Sequence, residues 1–153
     1  MMRVLRPVPK RYPVTSDFGE ISPGFRDGLP HKGVDFGCPI GTPVVACFDG
    51  TVGLVLRLEE GTEKQRRAGN RLALYSADGK VRALYFHLSS FKVQAGQKVK
   101  QGDVLALSGD TGVVSGAHLH FETRHLPADV SFQAEFDDAP IPTAEDNDKA
   151  AWI

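Results

Sequence analysis

The sequence predicts an all-β domain with little helix. It contains sixteen glycines and ten prolines among 153 residues, and both residue types interrupt regular elements and favour turns. No stretch of helical length repeats apolar side chains at i, i+3, i+4 and i+7 without a glycine or proline, so an amphipathic helix is not indicated. Short β-branched runs recur instead between Gly, Asp and Asn residues, and their spacing is typical of an antiparallel sandwich or barrel.

Eight such runs are predicted strands, in chain order: Val14–Phe18, Gly33–Phe36, Pro43–Phe48, Thr51–Leu58, Asn70–Ser76, Val81–Leu88, Val104–Ser108 and His118–Thr123. Asp49-Gly50 lies between the third and fourth runs and Asp78-Gly79 between the fifth and sixth. Asp-Gly favours tight hairpin turns, so two hairpins are predicted there.

Two charged segments flank or interrupt the predicted strands. Arg57–Gly69 is densely charged, and it is predicted to be a solvated hairpin tip, with a substrate-facing rim as the alternative. Residues 134–153 are acidic and contain two prolines, which is typical of a tail outside the core. The domain is therefore expected to span residues 1–133, followed by an acidic C-terminal tail.

Composition excludes several classes of protein. With 41% hydrophobic and 24% charged residues, the chain is an ordinary globular domain, and we expect a monomer. Its net charge of −1 gives no broad attraction to nucleic acid or to anionic membranes. No apolar run approaches the roughly 20 residues of a membrane span. The N-terminal residues lack the apolar core of a secretory signal peptide.

The two cysteines, Cys38 and Cys47, lack the CxxC spacing of many metal and redox sites. We expect both to be small buried residues, with a disulfide between them as the alternative.

Four of the five histidines occur in patterns that indicate a functional site. His31 precedes Asp35 in HKGVD, and His118 and His120 form HLH. On a strand, residues i and i+2 point to the same face, so two neighbouring strands would bring His, Asp and His to one point. Two imidazoles and one carboxylate form a ligand set that catalytic zinc uses, with a fourth position open. His87 lies in the apolar run ALYFHLSSF, where burial of an imidazole is costly unless it is hydrogen-bonded.

Other histidine and glycine patterns have a simpler interpretation. A lone histidine is usually structural, and His125 is at odd spacing from the HLH pair, so it is predicted to be structural or exposed. The glycine-rich segment SGDTGVVSG precedes HLH, but no helix is predicted after it, as a phosphate-binding loop would require. It is interpreted as a turn that directs the HLH strand.

The segments YPVTSDFG, HKGVDFGCPIGTPVVACFDGTV and ALYFHLSSFKVQAGQKVKQGDVLALSGDTGVVSGAHLHFETR resemble the lysostaphin-type, LytM-like family of peptidoglycan zinc metallo-endopeptidases. The resemblance runs from Tyr12 to Arg124. It implies a duplicated hybrid motif, in which antiparallel sheets form a groove with the metal at its base. It also implies one zinc ion per chain and a peptidoglycan peptide as the substrate.

The resemblance assigns roles to five residues. His31, Asp35 and His120 match the zinc ligands, and His118 and His87 match the catalytic histidines. A neutral imidazole suits proton transfer, so His118 is predicted to be the general base. His87 is predicted to hydrogen-bond the oxyanion, although the two roles could be exchanged.

Three further residues near these motifs have less certain roles. Glu122 either supports a zinc ligand or faces solvent. Arg124 is a weaker candidate for contacting a substrate carboxylate. Many relatives carry a basic residue where this chain has Glu20, which puts substrate contacts on that loop in doubt but not the metal site.

Two other functions remain open. One is a non-catalytic LytM-like domain that activates or binds, and the other is a lipoyl- or biotinyl-type carrier, suggested by VQAGQKVKQGDVLALSG. All five site positions are filled, and no lysine stands at an equivalent hairpin tip, so the enzyme is preferred. It would act on the cell wall, in the periplasm or outside the cell, delivered by a phage or exported by a leader since removed. The cleaved bond is either D-alanyl–diaminopimelate, which we favour, or a glycine bridge.

Overall fold

The computed structural model describes residues 4–21 and 31–126. Their strands are β1 Val14–Ser16, β2 Val34–Phe36, β3 Pro43–Val45, β4 Gly50–Leu56, β5 Asn70–Ser76, β6 Val81–Phe91, β7 Lys98–Val99, β8 Val104–Ser108 and β9 Leu119–His125. Within these two ranges a single short helix, α1 Glu63–Arg66, lies between β4 and β5. The all-β prediction with little helix is confirmed.

All strands of this region belong to one antiparallel sheet, in the order β1-β2-β9-β6-β5-β4-β7, and β8 joins it by pairing with both β3 and β6. The sheet is therefore open and branched. In the described part of the chain, no helix is both long and apolar enough to cross a membrane. The predicted tail and the boundary at residue 133 lie outside the described residues.

Strand β6 is longer than predicted because it has different partners along its length. Val81–Phe86 pairs with β9, whereas the end of the strand pairs with β8, where Phe91 lies opposite Ala106. The prediction ended this strand at Leu88, since the apolar run gives way there to Ser89 and Ser90. Pairing with β8 extends the strand through these polar residues.

One predicted hairpin is wrong and the other is confirmed. The strands that flank Asp49-Gly50 do not pair with each other, because β3 pairs with β8 and β4 pairs with β5 and β7. Gly50 instead permits a close approach, since a Cβ there would lie 2.0 Å from the carbonyl oxygen of Tyr75. Asp78-Gly79 does form the turn between the paired strands β5 and β6, with Gly79 at a φ of +74°.

The main hydrophobic core lies on one face of the sheet and includes Tyr85, Phe121 and both cysteines. Cys38 and Cys47 are buried free thiols, so the prediction of small buried residues is confirmed and the disulfide is not formed. Burial raises the pKa of the Cys47 thiol to about 12, which keeps it protonated. A second cluster, Ala73, Tyr75 and Leu84, lies on the other face of β5 and β6.

The charged segment Arg57–Gly69 has an exposed tip as predicted, but it also forms α1, whose residues are all unburied. The helix begins with a capping box, in which Thr62 Oγ1 accepts from the Gln65 amide and the Gln65 side chain accepts from the Thr62 amide. At the base of this segment, the buried Arg71 guanidinium donates to the carbonyl oxygens of Arg57, Gly69 and Glu60 at 3.2, 3.0 and 2.6 Å.

We expect Arg71→Met to lower the free energy of unfolding by about 2–3 kcal/mol, because three hydrogen bonds from a charged group are lost and the buried Gly69 carbonyl oxygen loses this donor. Urea denaturation measures this loss. Arg57→Met is the matched control, since that side chain is exposed and a surface substitution changes stability by no more than about 0.5 kcal/mol. Equal stability losses in the two variants would contradict the anchoring role of Arg71.

Candidate functional site

The pairing of β2 with β9 places Asp35 directly opposite His120. His31, which lies just before β2, completes the group. His31 Nε2 is 2.9 Å from His120 Nδ1 and 3.2 Å from Asp35 Oδ1, and His120 Nδ1 is 3.0 Å from the same Asp35 oxygen. The structure thus brings together the three residues that the sequence predicted as metal ligands.

The donor atoms fit a small divalent cation. Ligand atoms about 2.0–2.1 Å from a tetrahedral ion are roughly 3.3 Å apart, close to the 2.9–3.2 Å separations found here. The set joins two imidazole nitrogens and a carboxylate oxygen, all in residues that are at most 9% exposed. These three residues can therefore hold a metal ion.

Neighbouring groups determine which nitrogen each imidazole turns toward the centre. His31 Nδ1 is 3.1 Å from the carbonyl oxygen of Asp17, which accepts its proton and leaves Nε2 with a lone pair. His120 uses the opposite nitrogen, because its Nε2 donates to Glu122 Oε1 at 2.9 Å and Nδ1 faces the centre. Phe86 stacks on the His120 ring with a centroid distance of 4.8 Å.

Asp35 and His120 stabilise each other's charged forms. Burial by itself would raise the pKa of Asp35, but the hydrogen bond from His120, with His31 nearby, outweighs it and holds the pKa well below its usual range. Burial would likewise lower the pKa of His120, but hydrogen bonds to Asp35 and Glu122 raise it to about 9. The carboxylate is therefore ionised, and a cation that binds His120 Nδ1 must displace a proton.

His87 and His118 lie beside the ligand group, with their ring centroids 4.8 Å apart. His87 Nδ1 donates to the carbonyl oxygen of Thr111 at 2.7 Å, and His118 Nδ1 donates to that of Gly116 at 2.9 Å. Each neutral ring therefore presents Nε2 as an acceptor, and His118 Nε2 lies 3.6 Å from Asp35 Oδ2. Burial, with the nearby charges of His120 and His118, lowers the pKa of His87 to about 3.

The backbone at His87 is strained. Its φ of +63° lies in the left-handed region that non-glycine residues seldom adopt, and such residues cluster at functional sites. The His87 amide donates to the carbonyl oxygen of Ala68 at 2.8 Å. Ala68 and Thr111 therefore hold this histidine from two sides, and sequence reasoning identified neither, because every residue carries a carbonyl group.

The remaining candidate residues have mixed outcomes. Glu122 is buried against His120, so the solvent-facing alternative is wrong. His125 is exposed at the end of β9, as predicted. Arg124 is buried and lies opposite Arg82, and its contact with a substrate carboxylate stays a prediction. Glu20 accepts from the Asp17 amide, so it shapes the loop that orients His31.

The structure also describes the segment that suggested a carrier, VQAGQKVKQGDVLALSG, and the glycine-rich segment that continues from its end. Strands β7 and β8 pair with other strands and not with each other, so the hairpin that a carrier requires is not formed. The glycine-rich segment after β8 leads into β9 without a helix. It acts as a turn, as predicted, and its Thr111 carbonyl oxygen holds His87.

Comparison with known proteins places these features in a family context. The model of peptidase family M23 matches residues 29–133. The chain is 38% identical over 130 residues to the peptidoglycan DD-endopeptidase ShyB of Vibrio cholerae, covering 78% of this chain and 29% of that protein. It is 40% identical over 96 residues to the glycyl-glycine endopeptidase ALE-1 of Staphylococcus capitis, covering 63% of this chain and 25% of that protein.

A crystal structure of a zinc-containing peptidase from Vibrio cholerae superposes with a TM-score of 0.68 at 36% identity, covering 80% of this chain and 37% of that chain. The chain thus spans less than a third of the length of either curated relative. The family model matches more than half of the chain and includes all five site residues. The chain belongs to peptidase family M23.

Proposed function

We propose that this protein is a zinc-dependent endopeptidase that hydrolyses peptide bonds in the stem peptides or cross-links of peptidoglycan. The observation that carries the proposal is the group of His31, Asp35 and His120 with two acceptor imidazoles beside it. The similarity to the endopeptidases ShyB and ALE-1 and to the zinc-containing peptidase of known structure supports it. In this proposal the protein acts on the cell wall, in the periplasm or outside the cell.

His31, Asp35 and His120 would hold the zinc ion. When bound, zinc supplies Lewis-acid polarisation of a carbonyl group and lowers the pKa of water to about 7. His118 would accept the proton of the attacking water at Nε2, because Asp35 Oδ2, 3.6 Å away, stabilises the imidazolium that forms. His87 would donate a hydrogen bond to the oxyanion through Nε2 only when its ring is protonated, and its pKa of about 3 opposes that form. In the exchanged assignment His87 is the base, which needs only its neutral ring, and His118 is the oxyanion donor. Each histidine again acts through its Nε2 atom.

The proposal also concerns which peptide bond of peptidoglycan is hydrolysed. The two curated relatives differ, since one is a DD-endopeptidase and the other a glycyl-glycine endopeptidase. We favour the D-alanyl–diaminopimelate cross-link. Mass spectrometry of fragments released from purified walls of both types distinguishes the two.

We expect the purified protein to contain about one zinc ion per chain and to lose its wall-digesting activity when the ion is chelated. His118→Ala should retain zinc and lower kcat by about 10²–10⁴-fold, the usual contribution of a general base. Asp35→Ala should lose zinc. His125→Ala is the matched control, because this exposed histidine lies on the same strand but outside the site.

Full activity in His118→Ala would overturn the assignment of the base. Zinc content and rate both unchanged in Asp35→Ala would overturn the ligand set. A metal-free parent protein without activity on either wall type would favour the non-catalytic activator.

Glu122 provides a separate prediction about the metal site. Because its carboxylate accepts from His120 Nε2, we expect Glu122→Ala to weaken zinc binding by about 10–100-fold. Competition with a chromogenic chelator measures the affinity without reference to activity. Glu122→Gln keeps an acceptor oxygen and should show a smaller loss, whereas parental zinc affinity in Glu122→Ala would contradict the role.

A further inference from the structure

An open pocket lies between the hairpin that carries α1 and the loop that follows β8. Its volume is about 550 Å³, and it is lined by Leu58, Glu63, Arg66, Arg67, Gly112 and Val113. None of these residues belongs to the metal group or to the histidine pair described above. The pocket coincides with the charged segment for which the sequence left a substrate-facing rim as an alternative.

The walls of this pocket are the two segments that hold His87. Ala68, next to Arg67, accepts from the His87 amide at 2.8 Å, and Thr111, next to Gly112, accepts from His87 Nδ1 at 2.7 Å. The walls also contact each other, because the Val113 amide donates to the Arg67 carbonyl oxygen at 2.9 Å. A Cβ on Gly112 would lie 2.4 Å from that same oxygen. The segments that line the pocket are therefore the direct neighbours, in the chain, of the two residues that hold His87.

The lining of the pocket has a specific chemistry. Arg66 and Arg67 are both exposed, and no ion pair with another described residue occupies their guanidinium groups. Glu63 supplies one opposing charge, so the lining has an excess of positive charge. Guanidinium groups bind carboxylates through paired, charge-assisted hydrogen bonds. Val113 and Leu58 are 71% and 41% exposed and offer aliphatic surface beside these cations.

We propose that this pocket is a substrate subsite that binds a free carboxylate of the peptide whose neighbouring bond is cut at the metal group. The inference rests on the proposed endopeptidase function. Arg66 and Arg67 would bind the carboxylate, and Leu58 and Val113 would contact the adjoining alkyl groups. Because its walls fix His87, the subsite sets the position of the peptide relative to the reacting groups.

The test uses two synthetic cross-linked stem peptides that differ only in one group, a free carboxylate in the first and its amide in the second. We expect the parent protein to show a KM about 10-fold higher for the amidated peptide. Arg66→Ala/Arg67→Ala should raise KM for the carboxylate peptide by a similar factor, change kcat by less than about 2-fold, and leave the amidated peptide unaffected. Arg66→Lys/Arg67→Lys keeps the charges and should recover part of the loss.

Arg57→Ala is the matched control, since it removes the same charge from the same hairpin outside the pocket, and it should behave as the parent. Equal KM values for the two peptides in the parent, or unchanged discrimination in the double alanine variant, would overturn the subsite and leave the endopeptidase intact. If the parent cleaves neither peptide, the proposed function fails. Calorimetric binding of the carboxylate peptide to the parent and the double variant then still decides the subsite, and equal affinities would overturn it.

Discussion

The register between β2 and β9 is the constraint on which the site depends. It sets Asp35 opposite His120, so two residues 85 positions apart in the chain share one oxygen–nitrogen contact. Gly33 permits this register, because a Cβ there would lie 2.5 Å from the Phe121 carbonyl oxygen and 2.8 Å from Glu122 Cβ. A larger residue would force β2 away from β9 and separate His31 from His120.

The polar group on this face is stable because its members satisfy each other. Buried carboxylates and imidazoles are costly when they are unpaired, but here His120 lies between Asp35 and Glu122, with a hydrogen bond to each. His31 is held by the Asp17 carbonyl oxygen and the Ser16 hydroxyl group. The ligand atoms are therefore fixed by the strands and the first loop, and a cation would meet a preorganised set.

Part of this arrangement could be predicted from the sequence, because HxxxD and HxH spacings have a geometric meaning on strands. The pairing register could not be predicted, since it depends on the whole sheet. Asp49-Gly50 misled the prediction because a glycine that permits close approach looks the same as one that permits a turn. Helix α1 has four residues and is too short for a periodic pattern. The carbonyl oxygens that hold His87 could not be predicted either, because every residue has a backbone carbonyl group whatever its side chain.

The left-handed backbone at His87 coincides with the branch of the sheet. Before it, β6 pairs with β9, and after it the same strand pairs with β8. The conformation that turns the chain from one partner to the other is therefore the one that aims the imidazole. Asn, Asp and His enter this region of φ more readily than other non-glycine residues, so few side chains could replace histidine here and keep the branch in the sheet. Folding alone thus narrows the evolutionary choices at this position, even before any demand from catalysis.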